Sequence, residues 1–463
     1  MRTRTSQLAA ACSLVLATTL TFSACSPQPR PSDHAPREGS ATNQPADPES
    51  PSKSPGQGEN ETGDSSESSK GPQGSGDPTG QADHEAELIH TAQQLAQSYD
   101  YKAALDAIAD VNSPEADAAR AEITTQSSKV APWPHPDQIS HLFFHSLIID
   151  TDRAFDGDSR EQGYLDYMVT QREFAGILDQ LYERGFVLIN PEDFAGLDAD
   201  KKMAYREVML PPGKTPLVLS VDDMSYYEYM EPDGFAKRSV ITDDGKIMNE
   251  YVTPDGNTVV GAYDVQAMVD EFVAAHPDFS YRGHKGIIAL TGYNGIFGYR
   301  TSDRQYGDSP TLAADKAAAT KVADALKAEG WVIASHSWGH RNMTTSSLDK
   351  MTFDLDLWDK EVRPLVGKTD QFIYPFGADI SGVPKYSGAK YDLMRKHGFR
   401  FFYNVDGSTT AWEQQGAGYQ RQARINVDGI QFDRQLNGPR HILTSFFDVA
   451  SIIDPARVAA NSR

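Results

Sequence analysis

Two short stretches carry the residue types from which a reactive centre is built. "SVDDM" places Asp222 and Asp223 side by side, and "ASHSWGH" places His336 and His340 four positions apart. One carboxylate and two imidazoles are three ligands for a borderline divalent ion, with positions left open for water. The second carboxylate then stands spare as a base, the division of labour that metal-assisted hydrolysis needs. Each pair also has an ordinary reading. Adjacent aspartates at a strand end make a turn and a helix N-cap, and loop histidines find backbone partners. Gly339 argues against a regular helix, yet one turn still puts positions i and i+4 on one face. The two pairs have to be judged by the elements that would bring them together.

From about residue 135 the pattern is strand then helix, repeatedly. "ISHLFFHSLIID" reads as a buried strand, and "VTQREFAGILDQLYERG" as a helix opened by a Thr170–Glu173 capping box with a Val169–Phe174 staple and stopped at Gly185. "PLVLSV" ends in the two aspartates, "DKAAATKVADALKAEG" precedes the strand "WVIAS", and "QFIYPFG" and "FRFFY" follow. Such alternation predicts an α/β fold with a parallel sheet, closed into a barrel. In such barrels active groups sit at the C-terminal ends of strands, where the polar residues above fall. Residues 224–262 break the rhythm with "PDG", "DDG" and "PDG" turns. Asp-Gly predicts two-residue hairpin turns, so a β-hairpin insertion is expected, overhanging the site as a lid or wall.

The N-terminal part reads differently. Arg2 and Arg4, the apolar run Leu8–Phe22 and "TFSAC" predict residues 1–25 to be a lipoprotein signal with Cys25 as the lipidated residue. Of two cysteines, Cys12 falls in that signal, which leaves no disulfide framework. Residues 26–83 are Ser-, Pro-, Gly- and acid-rich and predict a disordered tether, roughly 40 Å end to end as a flexible coil. Residues 84–127 predict short helices, one started by "NSPEAD" with Pro114 in its first turn, acting as a packing spacer. The main domain is expected over 135–450. With 43 basic against 65 acidic residues in 463, the net charge of −22 repels nucleic acid and anionic membrane. The acyl anchor is then the membrane contact, and the location extracytoplasmic on a bacterial cell membrane.

"LVLSVDD", "ASHSWGH" and "IYPFG", in that order, resemble the three leading motifs of NodB-like polysaccharide deacetylases, carbohydrate esterase family 4. "LFFHSLI" and "TQREFAGILDQLYERGF" resemble segments that precede the core in many members, so the likeness runs from about 138 to 430. The resemblance implies a deformed (β/α) barrel of the NodB-homology type. It also implies a metal-dependent hydrolase that removes N-acetyl, or O-acetyl, groups from envelope polysaccharide such as peptidoglycan. Asp223, His336 and His340 would hold a divalent metal, zinc first, and Asp222 would be the general base. The backbone N–H of Phe376 would donate to the oxyanion, Tyr374 and Pro375 would shape the sugar groove, and Trp338 is a stacking candidate.

The sequence departs from the family pattern in two places. Ile373 stands where the third motif carries Arg, and Arg424 is the candidate replacement. The late histidine acid has no clear match; His145 is the first candidate and His441 the second. Both departures leave open a non-catalytic glycan-binding lipoprotein on a degenerate scaffold. Two histidines and a carboxylate leave open a non-haem iron oxygenase.

Overall fold

The computed structural model of the protein describes residues 78–463. The signal, Cys25 and nearly all of the 26–83 tether lie outside the described residues. Three helices come first: α1 (Pro78–Gln97), α2 (Tyr101–Ala107) and α3 (Pro114–Ser127). Helix α1 begins inside the stretch read as tether. Proline at the first helical position gives up only an N–H that has no helical partner, and the polar residues after it hide the start. Ser113 caps α3, accepting from Ala116 N–H. The three helices bury a cluster of their own, including Ala92, Ala96, Ile108 and Ile123. They dock through Tyr99, whose hydroxyl donates to the Asp278 carbonyl at 2.7 Å.

The main domain alternates strands and helices in chain order. Strand β1 is Ser140–Phe144, α4 Gln171–Glu183, β2 Phe186–Leu188 and β3 Thr215–Val221. The insertion supplies β4 (Ala236–Ile241), β5 (Ile247–Val252) and β6 (Thr258–Gly261). Then come α5 (Val265–Ala275), β7 (Gly286–Leu290), α6 (Leu312–Ala328), β8 (Trp331–Ser335) and α7 (Leu348–Glu361). Next come β9 (Gln371–Ile373), α8 (Ala389–Lys396), β10 (Phe401–Val405), β11 (Glu413–Gly416), β12 (Tyr419–Asn426) and α9 (Gly429–Asn437), before two short C-terminal helices, Val449–Ile452 and Pro455–Ala460.

Seven parallel strands close a barrel in the order β1, β3, β7, β8, β9, β10, β12 and back to β1. The fold is therefore a deformed (β/α) barrel, as the strand–helix alternation predicts. The deformation lies at β3. Its first residues pair with β2, and only Ser220 and Val221 reach β7. Gly286 sits at that seam with φ +147, and a Cβ there would meet the Leu219 carbonyl oxygen at 2.4 Å. Only glycine lets the two strands approach so closely.

Strand alternation sorts the core. Leu217, Leu219 and Val221 face the helices, where they join Phe174, Ile177 and Leu178 of α4. Burying each such side chain contributes about 1.5–3 kcal/mol. Val218 faces inward with Ile287, Ala289, Ala334 and Ile373. Higher in the barrel the inward residues turn polar: His141, Ser220, Gln422 and Arg424 are fully buried. The Thr170–Glu173 capping box forms as read, and Glu173 also binds Arg457 at 2.8 Å in the interior.

The insertion is a three-stranded antiparallel meander rather than one hairpin. Its turns also differ from the expected two-residue type. In Thr242–Gly245 the Gly245 N–H returns to the Thr242 carbonyl and only Gly245 has positive φ, and Thr253–Gly256 repeats this. A two-residue type I′ turn needs positive φ twice, whereas a type I turn closed by a left-handed glycine needs it once. The meander packs outward against α5 and α6. What reaches the strand ends is its root, Met224–Tyr229.

Candidate metal and hydrolytic site

The candidate residues of all three motifs lie just past the C-terminal end of a barrel strand: Asp222 and Asp223 after β3, His336 and His340 after β8, Tyr374–Phe376 after β9. His145 follows β1, and Arg424 rises inside the barrel on β12. The backbone there is strained. Asp223, Tyr226, Ser337, His340 and Phe376 all have φ between +50 and +61, a region costing about 1–3 kcal/mol for a non-glycine residue. Such strain persists only where surrounding bonds impose it.

Those bonds are visible around the histidine loop. Asp354, buried on α7, accepts from the N–H groups of Trp338 and Gly339 at 2.8 Å each. Glu361, one turn pair further along α7, accepts from the Trp338 indole at 2.9 Å and from the Ser302 hydroxyl at 2.7 Å. The Ser337 hydroxyl accepts from Arg341 N–H at 2.8 Å. Together they fold the loop so that the His336 and His340 rings lie 5.0 Å apart.

One donor atom each from Asp223, His336 and His340 falls within 4.8 Å of the others. His336 Nδ1 lies 2.9 Å from the Ile373 carbonyl oxygen. A carbonyl only accepts, so Nδ1 carries the proton and Nε2 presents its lone pair. His340 Nε2 lies 3.7 Å from Asp223 Oδ2. Burial pushes His340 down to about 4 against the opposing pull of Asp223, so the ring is neutral, the state a ligand needs. The donor set thus fits a divalent metal ion.

Asp222 is held quite differently. Arg424 donates to both its oxygens, Nη1 to Oδ1 at 2.7 Å and Nη2 to Oδ2 at 2.9 Å. Burial alone would raise this carboxyl, but Arg424 and then His336 hold it well below the usual carboxylate range. Arg424 is itself fixed. It lies over the Phe143 ring at 4.1 Å and donates to Ser220 Oγ at 3.2 Å. Ser220 Oγ lies 2.8 Å from His141 Nε2, and His141 Nδ1 lies 2.9 Å from Gln422 Oε1. A single orientation satisfies all of them: Arg424 to Ser220, Ser220 to His141, His141 to Gln422. A guanidinium absent from position 373 thus meets Asp222 from β12, which bears on one of the two departures that left a degenerate scaffold open.

His145 is half-buried and near enough to couple electrostatically with Asp222, Asp223, His340 and Asp428. His441 is exposed, with Nδ1 on the Gln435 carbonyl at 2.8 Å. The groove residues need correction. Trp338 is buried, with its indole bound to Glu361, so it braces the loop and offers no stacking face. Tyr374 and Pro375 are buried too, the Tyr374 hydroxyl lying 2.9 Å from that of Tyr386. The third-motif ring beside the cluster is Phe376, edge-on to His340 at 4.5 Å. Sequence reading also missed Tyr227, Asp354, Glu361, Ser220 and His141. For α7 a signal exists: Asp354 and Glu361 occupy the helix face of Met351, Leu355 and Trp358, where a carboxylate needs a buried partner.

Two imidazoles and a carboxylate converging at barrel strand ends, with a spare ionised carboxylate beside them, have the donor set of a metal-assisted hydrolase. Residues 304–402 match the polysaccharide deacetylase family model, a span that includes His336, His340 and the β9 motif but neither aspartate. Over those residues the chain is similar to polysaccharide deacetylases. Among solved structures, the Streptococcus pyogenes deacetylase PplD in complex with acetate aligns over 69% of this chain and 100% of its own, at 13% identity and a TM-score of 0.35. Nothing among the curated proteins matches the chain.

Proposed function

We propose that the protein removes acetyl groups, N-acetyl first and O-acetyl second, from a cell-envelope glycan, with peptidoglycan amino sugars as the leading substrate. The observation that carries this is the convergence of Asp223, His336 and His340 beside an Asp222 whose charge is secured by Arg424. Asp223, His336 and His340 would hold the metal, zinc by its preference for such nitrogen and oxygen donors. When bound, that ion supplies Lewis-acid polarisation of the acetyl carbonyl and lowers the pKa of water. Asp222 takes the proton from the attacking water. Arg424 keeps it ionised at neutral pH and aims its oxygens. The Phe376 N–H is assigned to the oxyanion. His145, half-buried at the rim, is assigned to protonate the leaving amine.

The lipobox-like "TFSAC" supports anchoring through Cys25 at the outer face of a bacterial membrane, which would hold the domain against envelope glycan. Among the described residues no helix is long and apolar enough to cross a membrane. The test is metal analysis of the purified protein together with acetate release from chito-oligosaccharide, peptidoglycan and O-acetylated glycan. Zinc bound at one equivalent and acetate released from an N-acetylated glycan are expected. Turnover that persists in both Asp222→Asn and His336→Ala would sink the assignment.

A further inference from the structure

Asp223 has two carboxylate oxygens, and only one faces the histidines. Oδ2 lies 3.7 Å from His340 Nε2, whereas Oδ1 accepts from the Tyr227 hydroxyl at 2.6 Å. The phenol is itself aimed. Its oxygen lies 2.9 Å from Thr291 Oγ1, which lies 2.9 Å from Ser225 Oγ. Tyr227 gives its one proton to a carboxylate that can only accept, so its oxygen accepts from Thr291, and Thr291 accepts from Ser225. Three buried hydroxyls therefore point one way, Ser225 to Thr291 to Tyr227, and end on Oδ1. Aligned bonds of this kind strengthen one another in a dry interior.

The relay also spans elements. Thr291 follows β7, while Ser225 and Tyr227 form the root of the insertion, so the bonds tie the strained Asp223 turn to the neighbouring strand end. The Tyr227 ring has little freedom to carry its hydroxyl elsewhere. It is stacked near-parallel to Tyr229 at 5.8 Å and to Tyr293 at 5.3 Å. A metal ligand whose other oxygen is held in this way binds through one oxygen in a fixed direction.

We propose that Tyr227 is a positioning residue of the metal site: its hydroxyl, aimed by Thr291 and Ser225, occupies Oδ1 and leaves Asp223 to bind metal through Oδ2 alone. This rests on the reading of Asp223, His336 and His340 as ligands. Tyr227→Phe keeps the ring and its stacking and removes only the hydroxyl; Thr291→Val keeps shape and removes the next link. Metal-free wild-type and variant proteins are titrated with Zn²⁺ against a chromophoric chelator, and the Co²⁺-loaded forms are compared by absorption.

Zinc affinity should fall about 10–100-fold in Tyr227→Phe and less in Thr291→Val, with little change in the thermal midpoint of the metal-free protein. The Co²⁺ ligand-field bands should weaken as the freed Oδ1 joins and the coordination number rises. An affinity within about twofold of wild type, or a loss that only follows metal-free stability with an unaltered Co²⁺ spectrum, overturns the proposal. If Tyr227→Phe fails to fold, Thr291→Val decides by the same readings. A wild-type protein that takes up no metal would overturn the ligand reading instead.

Discussion

Asp222 and Asp223 are adjacent and chemically identical, yet they belong to two regions with different electrostatics. Asp222 continues the inward register of β3 into the polar upper half of the barrel, where a guanidinium holds both oxygens. Asp223 leaves that register at φ +60, and its held oxygen meets a neutral phenol. The first environment fixes a full negative charge and leaves no oxygen for a metal to take cheaply. The second neutralises nothing and leaves Oδ2 directed at two imidazoles. Partner chemistry, more than position in the motif, separates a base from a ligand.

The sharpest way to break this comparison is to disable each side separately. Asp222→Asn should lower kcat by about 10²–10⁴-fold, the usual worth of a general base, with metal content unchanged. His336→Ala or Asp223→Ala should lose both metal and activity. Metal analysis beside acetate release separates the outcomes, and a metal-depleted Asp222→Asn protein would mean that Asp222 is a ligand after all.

Next in size is Arg424→Met. Removing the guanidinium leaves a buried carboxylate unpaired, which costs about 3–5 kcal/mol in stability. The sign of the pH effect follows from the balance at Asp222. Burial raises this carboxyl and Arg424 lowers it, so without Arg424 burial wins and the pKa climbs. The acidic limb of the pH–rate profile for kcat/KM should move to higher pH, while chelator titration should show metal affinity little changed. An unmoved limb would show that Arg424 does not govern the base.

The same contrast explains what was legible in the sequence. Strand and helix order, the α4 cap and both motifs stand in contiguous residues, because local periodicity and hydrogen-bond geometry write them there. Arg424 could be offered as a candidate but not placed, since β12 meets β3 only when the barrel closes across β1. Tyr227 was hidden for the same reason: its partner Thr291 is 64 positions away. Trp338 misled because an aromatic beside a ligand histidine reads as a platform, whereas its indole had a buried carboxylate waiting on α7. Long-range polar pairing carries no periodicity to read.

Asp354→Asn comes third. An amide keeps one acceptor oxygen but turns a nitrogen toward the second N–H, so either Trp338 or Gly339 loses its partner. Leaving one buried N–H unsatisfied costs about 1–3 kcal/mol, and the loop strain at Ser337 and His340 then has less to oppose it. Thermal unfolding should record the loss, and zinc affinity should fall with it because His340 is the ligand the loop delivers. Stability lost with affinity intact would mean that the remaining bonds suffice to place the ring.

The smallest expected effect tests the correction at Trp338. Trp338→Phe removes the indole N–H that Glu361 accepts and leaves an aromatic ring in the same packing site. One hydrogen bond to a charged group is worth about 1.5–3 kcal/mol, and Glu361 keeps its bond from Ser302, so the cost should fall at the low end. A ring that only braces the loop has no contact to lose with substrate. KM for a glycan oligomer should therefore stay at the wild-type value while the thermal midpoint drops by a few degrees. A raised KM with unchanged stability would reverse the correction and return Trp338 to the groove, because only a substrate-facing ring moves the first quantity without the second.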